Sequence, residues 1–421
     1  MSNKLYDEKS IESLSPLEFT RLRPQVYAGD CTYSTQLLVE IISNAIDEFR
    51  LGHGNLIEVK IDKDIVSVRD YGQGFIPNSF RDDGKTILEA AFSVLNTSGK
   101  YREDGTYEGT SLGSFGIGSK ITTYLSHWLK VWTIRDNKIE QVRFKEGEFE
   151  DRMTGIDKGA SGTYVEWQPS EEFFTHTEVE LETIKKLFKT TVCLCPGLTI
   201  KLDANGDKFE YYSQNGLNDL VNDNVKDKEL INTRFNLQFE EDKNKLDLVM
   251  TYTTNYSSTI VPYVNTGLTE TGLHITQFKT YITKVFNKFL RDKKWLKEKD
   301  ENLTGDDIQE GLYLVFNITT PGVGYDAQVK SRITKIDMKP FIGPFVTSFT
   351  EWLERNEKEV KVIADKAINA RKAREAAKKA RDSVRNKSEK KQKALKFDSK
   401  LADCYGKDRS KCEIYITEGK R

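Results

Sequence analysis

The stretch that decides the fold is Glu40-Ile-Ile-Ser-Asn44-Ala-Ile-Asp47-Glu48, which is followed by Asp70-Tyr-Gly72-Gln-Gly74. Apolar residues recur at helical spacing around the first segment, so residues 34–50 are predicted to form a helix. A carboxylate and an amide four residues apart then share one face of that helix. Apolar and polar residues alternate in 56–61 and in 65–69, which predicts two strands that form a hairpin. The aspartate that follows them opens a glycine turn.

A second glycine cluster, Gly113-Ser-Phe-Gly116-Ile-Gly118-Ser-Lys120, follows further along the chain. Glycines before a helix let backbone N–H groups approach phosphates, and Lys120 adds positive charge. Glu40 is the candidate base that orients water, and Asn44 offers a neutral oxygen to Mg²⁺. Asp70 can accept a hydrogen bond from an exocyclic amine and so select adenine. Together these residues predict a site, not of the Walker type, that binds ATP and Mg²⁺ and hydrolyses the nucleotide.

Each of these motifs taken alone has a plainer explanation. A glutamate and an asparagine four residues apart usually belong to a solvated helix face, and an Asp-x-Gly-x-Gly segment is usually a turn. One glycine cluster is weak evidence for a nucleotide site. The order and separation of the three motifs favour the nucleotide site over coincidence.

The composition predicts a cytoplasmic protein of two or three domains. The chain has 421 residues, of which 37% are hydrophobic and 31% charged, and its formal net charge is −1. Any nucleic-acid binding must therefore come from a local basic patch. No signal peptide opens the chain and no apolar run has the length of a membrane span, so no membrane partner is expected. Reduced thiols are expected because the cysteines are odd in number and lack zinc spacing. They are Cys31, Cys193, Cys195, Cys404 and Cys412.

Sequence patterns divide the chain into four regions. They are an arm at 1–30, a site-bearing domain at 31–222, a second domain at 223–395, and a linker with a final strand at 396–421. A polar stretch at 213–230 marks the boundary between the two domains. The further predicted helices are 86–96, 117–125, 178–190, 275–290, one from about 326, and 344–395. The further predicted strands are at 129–167, 198–212, 234–253, 258–264 and 310–318.

The motifs resemble the ATPase and transducer regions of type IIA DNA topoisomerase B-type subunits, the gyrase B and topoisomerase IV B kind. Residues Tyr6–Ile11 resemble the arm that reaches the partner's nucleotide in that family. Gly99-Lys100 and Tyr107 fall in its lid, and Gly162-Thr163 fall on the motif whose threonine supports the adenine-binding aspartate. The resemblance implies an α+β chain. Its first part would be a two-layer α/β sandwich ATPase domain of the gyrase, Hsp90, histidine kinase and MutL type. A ribosomal-S5-like α/β transducer domain with a long C-terminal helix would follow.

The second half of the chain narrows the resemblance to topoisomerases. Ala327-Gln328-Val-Lys330 resembles the transducer loop whose lysine reaches the γ-phosphate. The basic run Arg371–Arg381 resembles the long transducer helix, and residues 400–404 and 413–419 resemble the start of the metal-binding Toprim domain. As isolated sequence, the basic run at 370–393 is more typical of a solvated helix face than of a DNA contact. Gln73 departs from the family pattern, which usually has arginine at this position.

The resemblance also assigns roles to residues and implies partners. Glu40 is expected to be catalytic and Asn44 to hold Mg²⁺. The residues expected to bind ATP are Tyr6, Asn44, Asp47, Glu48, Asp70, Gly72, Gly74, Ile76, Pro77, Lys100, Tyr107, Gly113, Gly116, Ile117, Gly118, Ser119, Lys120, Thr163, Gln328 and Lys330. The implied partners are duplex DNA, a second copy of the chain when ATP binds, and an A-type cleavage subunit with the rest of Toprim.

The expected function is an ATP-hydrolysing N-gate that captures a DNA segment by dimerising and reopens after hydrolysis. DNA cleavage is not expected from this chain alone. The alternatives are an ATP-dependent DNA clamp and a MutL-like or chaperone ATPase. The chain combines motifs of bacterial-like form with motifs of eukaryotic-like form. In this combination it resembles the large subunit of T-even-type phage topoisomerases.

Overall fold

The computed structural model describes residues 14–95, 116–326, 332–395 and 408–413. It begins with two short helices, α1 (Pro16–Leu22) and α2 (Gln25–Ala28), and the longer α3 (Thr35–Arg50). A capping box between Ser15 and Glu18 fixes the start of α1. Helix α3 forms where the sequence predicts it, because its apolar residues fall on one face. Its buried apolar residues are Leu37, Leu38, Ile41, Ile42, Ala45 and Ile46.

An eight-stranded sheet forms the second layer of the site-bearing domain. Its strands are β1 (Leu56–Asp62), β2 (Ile65–Asp70), β3 (Ser126–Arg135), β4 (Lys138–Lys145), β5 (Glu148–Ile156), β6 (Gly162–Pro169), β7 (Thr199–Ala204) and β8 (Asp207–Tyr212). Their spatial order is β5-β4-β3-β6-β2-β1-β7-β8. Only β1 and β7 pair in parallel among these strands, so the sheet is mixed, as predicted.

Helices cover this sheet. They include α4 (Ile87–Ser93), α5 (Gly118–Tyr124), α6 (Leu181–Leu194) and α7 (Leu217–Val225). Helix α3 packs against both α5 and β2, which brings the first sequence motif next to the second. Helix α7 was not predicted, and it occupies the polar stretch that marks the expected domain boundary. Its buried Leu217 and Val221 belong to the same core as α3. The boundary expected at residue 222 therefore lies inside a helix, and the exact division of the chain stays a prediction.

The second half of the chain has a smaller sheet and its own core. The strands are β9 (Phe235–Glu241), β10 (Asn244–Tyr252), β11 (Thr259–Val264), β12 (Gly267–Leu268) and β13 (Leu312–Thr319), in the order β12-β11-β13-β10-β9. Helix α8 (Leu273–Asp292) and helix α9 (Gly305–Gln309) lie between β12 and β13 in the chain. Strand β13 is buried almost throughout, as expected of a central strand.

Two helix predictions in this half are wrong. The helix expected from about 326 is not there. Instead β14 (Gly324–Tyr325) and β15 (Ile333–Lys335) form a ribbon in the described residues. The helix expected over 344–395 is two helices, α10 (Lys339–Arg355) and α11 (Glu357–Leu395). They break at Asn356, whose backbone leaves helical geometry while its side-chain amide donates to the Trp352 carbonyl at 2.8 Å. An asparagine that bonds to a nearby backbone group competes with helix continuation.

The described part of the chain ends in a short 3-10 turn, Arg409–Lys411. The final strand predicted beyond it lies outside the described residues. Within the described ranges, no helix is both long and apolar enough to cross a membrane.

Candidate active site

Helix α3 carries four polar residues of the predicted site. Its apolar face enters the core, so Glu40, Asn44, Asp47 and Glu48 lie outside that apolar face, with Asn44 exposed and Asp47 buried. Glu48 joins this helix to the glycine turn after β2, because its Oε2 accepts from the backbone N–H of Gln73 at 3.2 Å. The helix motif and the turn motif therefore form one site.

The carboxylate of Glu40 is held in a defined position. The side-chain amide of Gln36 donates to Glu40 Oε1 at 2.8 Å, one helical turn earlier. On the other side lies Gly118, where an added Cβ would overlap Glu40 Oε2. A side chain at this position would therefore displace the carboxylate. Glu40 therefore lies against Gly118 of the second glycine cluster.

Asp70 is a buried carboxylate at the end of β2. Its Oδ1 accepts from the backbone N–H groups of Gly72 at 2.9 Å and Thr163 at 3.1 Å. Both bonds use the same oxygen, which leaves Oδ2 available to a donor on a ligand. Burial raises the pKa of Asp70 to about 6, while the two backbone bonds oppose that rise. A ligand amine that donates to Oδ2 would compensate part of this desolvation.

The glycines of the turn allow close backbone packing. A Cβ at Gly72 would lie 2.8 Å from Glu48 Oε2, and Gly74 has a positive φ of 68°. Beyond Phe75, the predicted site residues Ile76 and Pro77 are 52% exposed and partly buried, respectively.

The described part of the second glycine cluster leads into α5. Gly116 has a positive φ of 60°, and Ile117 precedes the first helical residue. Ser119 donates its hydroxyl to the Ala91 carbonyl at 2.7 Å, which ties α5 to α4. Lys120 is only 3% exposed, and burial lowers its pKa to about 8. A phosphate nearby would favour the charged form of this amine.

Several predicted residues cannot be located because they lie outside the described residues. These are Tyr6, Lys100, Tyr107, Gly113, Gln328 and Lys330. Their assignment to the site stays a prediction.

Three supporting residues were missed from the sequence. Gln36 orients Glu40, and its position one turn before the glutamate is the only local signal for this role. Thr133 is fully buried on β3, and its Oγ1 accepts from the Phe75 N–H at 2.8 Å and donates to the Gly162 carbonyl at 3.2 Å. Glu140 on β4 accepts from the Asn78 N–H at 2.6 Å. The last two are distant in sequence, so only the strand pairing brings them to the turn.

Asn44 is the residue that is predicted to hold Mg²⁺. Among the described residues, no three histidine, cysteine or acidic side chains converge on one point. Mg²⁺ usually keeps several waters and takes one or two protein oxygens in addition to substrate phosphates. Asn44 presents an exposed amide oxygen one turn from Glu40, which meets that need.

Comparison with known proteins identifies relatives of the whole chain. A family model described as DNA gyrase B matches residues 216–383. The B-type subunit of DNA topoisomerase 4 from Bacillus subtilis is 32% identical over 98% of this chain and 64% of its own length. The B-type subunit of DNA gyrase from Thermotoga maritima is 30% identical over 98% of this chain and 67% of its own length. The B-type subunit of the type 2 topoisomerase from Aquifex aeolicus is matched over 53% of its length. The chain thus spans between about half and two thirds of the length of these relatives.

Solved structures share the fold. The 43K ATPase domain of Thermus thermophilus gyrase B, in complex with an aminocoumarin, matches 87% of this chain and 97% of its own length. Its TM-score is 0.69 at 26% identity. The ATPase and transducer domains of DNA topoisomerase II from Balamuthia mandrillaris match with a TM-score of 0.68 at 19% identity, over 87% of this chain and all of their own. The predicted pairing of a sandwich ATPase domain with a transducer domain is confirmed.

Proposed function

Because the chain belongs to the B-type subunits of type IIA DNA topoisomerases, we propose that it is the ATP-operated gate of such an enzyme. The observation that carries this proposal is the contact between α3 and the turn after β2. It joins the carboxylates of α3 to the buried Asp70, so a candidate base and a candidate adenine acceptor occupy one site.

We assign the chemistry as hydrolysis of the γ-phosphate. Glu40 accepts a proton from water as that water attacks the γ-phosphorus, and ADP and inorganic phosphate are the products. Gln36 fixes the carboxylate for this step, and Asp70 orients the nucleotide by accepting from its adenine amine. Asn44 would hold Mg²⁺, which neutralises charge on the phosphates when it is bound. Lys120 and, by family resemblance, Lys330 contribute positive charge to the phosphate end.

The partners follow from the same proposal. A second copy of the chain, crossed by residues 1–30, would close a clamp around duplex DNA, and hydrolysis would reopen it. An A-type subunit and the remainder of Toprim would supply cleavage, in the cytoplasm where the DNA is. The narrower resemblance to the large subunit of T-even-type phage enzymes stays a prediction.

The test is the ATPase rate against protein concentration, with and without duplex DNA, for wild type, Glu40→Gln and Glu40→Ala. We expect a rate that rises more than linearly with concentration in the wild type. Both variants should lose at least about a hundredfold in kcat, because a positioned base typically contributes about 10²–10⁴. The exposed Glu171, changed to glutamine, is the matched control and should keep the wild-type rate.

Two results would redirect the proposal. Full turnover in Glu40→Ala would remove Glu40 from the mechanism. Tight ATP binding with negligible turnover in the wild type would favour the static DNA clamp.

A further inference from the structure

Arg50, at the C-terminal end of α3, makes hydrogen bonds to the second sheet. Its Nη1 donates to the backbone carbonyl of Asn265 at 3.3 Å, and its Nη2 donates to Thr319 Oγ1 at 3.3 Å. Asn265 lies in the turn between β11 and β12, and Thr319 is the last residue of β13. The helix that carries Glu40 and Asn44 is therefore joined directly to the transducer.

The acceptor side of this contact is a locked turn. Asn265 has a positive φ of 51°, and its backbone N–H donates to the Ile318 carbonyl at 2.7 Å. Its side chain exchanges two bonds with the backbone of Thr320, each 3.1 Å long. Because Asn265 and Thr320 are buried, these bonds are protected from water. The two acceptors of Arg50 thus move as one unit with β13.

The donor side is also fixed. Nη1 of Arg50 lies 3.8 Å from Asp47 Oδ1, and the two side chains are only 12% and 5% exposed. The planar guanidinium has several N–H donors in a fixed geometry, so it can contact a carboxylate and two further acceptors at once. A lysine ammonium on a flexible stem is less suited to this arrangement. Removing Arg50 would leave the buried Asp47 carboxylate without this cation.

We propose that Arg50 is a positioning residue that holds α3 in a fixed relation to the transducer sheet during hydrolysis. This inference rests on the proposed function, because α3 matters to turnover only if Glu40 is the base. Arg50 touches no reacting atom. It acts through the helix, by keeping the Glu40 carboxylate in place.

The proposal separates hydrolysis from nucleotide binding. Asp70 and Thr163, which are expected to hold adenine, lie on β2 and β6 of the first sheet and are tied to each other. They do not depend on Arg50. Loss of the contact should therefore lower kcat by a larger factor than it raises KM, since the adenine-binding pair stays in place while Glu40, and with it Asn44 and Glu48, shifts with α3. If Arg50 only stabilised the helix end, its removal would lower the melting temperature and leave kcat unchanged.

The experiment compares full-length wild type with Arg50→Ala, Arg50→Lys and Thr319→Val. We expect about a tenfold loss of kcat in Arg50→Ala, a smaller loss in Arg50→Lys, and about a threefold loss in Thr319→Val. KM should stay within about twofold of wild type. The double variant Arg50→Ala with Thr319→Val should be no worse than Arg50→Ala alone, because both changes remove the same contact.

The matched control is Arg143→Ala. Arg143 lies on β4 of the same domain, pairs with Glu150 and Asp151, and is 38% exposed. It should keep the wild-type kcat. Thr319→Val changes only the transducer side, so it tests the contact even if Arg50→Ala does not fold.

The outcomes distinguish the two claims. A wild-type chain without turnover overturns the proposed function and this inference with it. A wild-type chain that hydrolyses ATP while Arg50→Ala and Thr319→Val match Arg143→Ala overturns the inference alone. A rise in KM with unchanged kcat would also overturn it, since it would assign Arg50 to binding.

Discussion

Helix α3 has four charged residues among 16 and helix α11 has 20 among 39, and the two helices hold their charges in different ways. In α3 the apolar face is buried, and the polar residues contact defined partners such as the glycine turn and the second sheet. In α11 the first half docks, through buried residues such as Val360 and Ile363. The helix with fewer charges is the one whose charged side chains have defined partners along its length, because an apolar stripe beneath them is buried.

The docked half of α11 is anchored by three cations. Lys366 donates to the carbonyls of Thr253 and Asn255, and Arg371 donates to the Glu301 carbonyl at 2.8 Å. Arg374 makes two bonds of 3.0 Å with the carboxylate of Asp307 on α9. From residue 376 to residue 385 the helix is exposed. The charges of α3 thus shape a site, while those of α11 first attach the helix and then face solvent.

The largest expected effect comes from disturbing the position of Glu40 without removing it. Gly118→Ala places a Cβ against the Glu40 carboxylate, so we expect about a hundredfold loss of kcat in a steady-state ATPase assay. Gly343→Ala is the matched control, because Gly343 is also helical but has open space around its Cα. An unchanged rate in Gly118→Ala would mean that Glu40 does not need this position.

Asp70→Asn should weaken ATP binding by about thirtyfold, since hydrogen bonds to charged groups contribute about 1.5–3 kcal/mol. The asparagine oxygen can still accept from Gly72 and Thr163, but its amide would then face the adenine amine with a second donor. Isothermal titration with a non-hydrolysable ATP analogue measures the change. Asp136→Asn, at a side chain that is 85% exposed, is the control and should bind normally.

The pH dependence of stability tests the burial of Asp70. Its pKa is raised to about 6 in the folded protein from 3.8, so the folded state holds this proton more tightly than the unfolded chain. The contribution of Asp70 to the free energy of unfolding of the ligand-free protein should therefore rise by about 1 kcal/mol from pH 7 to pH 5. Nucleotide affinity should fall over the same interval, because the acceptor becomes protonated.

The measurement is the difference in calorimetric stability between wild type and Asp70→Asn at each pH. Subtracting the variant removes the titration of all other groups. A difference that does not change with pH would show that Asp70 is not desolvated in the free protein.

The smallest effect is expected in α11. Arg374→Ala removes the pair with Asp307 and should lower the free energy of unfolding by about 1 kcal/mol or less, since Arg374 is partly exposed. Hydrogen exchange should show faster opening of α11 near residue 374. Arg385→Ala, in the exposed part of the helix, should change neither quantity. Equal effects of the two variants would mean that the ion pair does not anchor the helix.

Strong local periodicity made α3 and the β1–β2 hairpin predictable. The order of the motifs led to the prediction of one site with Glu40, Asn44 and Asp70, and their roles stay predictions. The errors came from features without a local pattern. Helix α7 was not predicted because the stretch 213–230 is mostly polar. Its few apolar residues are buried because α7 packs on α6. The break at Asn356 depends on one side chain, and Thr133 reaches the glycine turn only through strand pairing.

The break at Asn356 also has a geometric consequence for α11. A helix of 39 residues that rises about 1.5 Å per residue is about 58 Å long. Beyond Arg374 about 32 Å of it lies outside the anchored half, so a tilt of about 10° there displaces the far end by about 5 Å. One inserted residue would rotate the residues after it by about 100° about the helix axis. Seven inserted residues, nearly two full turns, would leave their orientation almost unchanged. The length of α11 therefore sets the direction in which the chain leaves this domain.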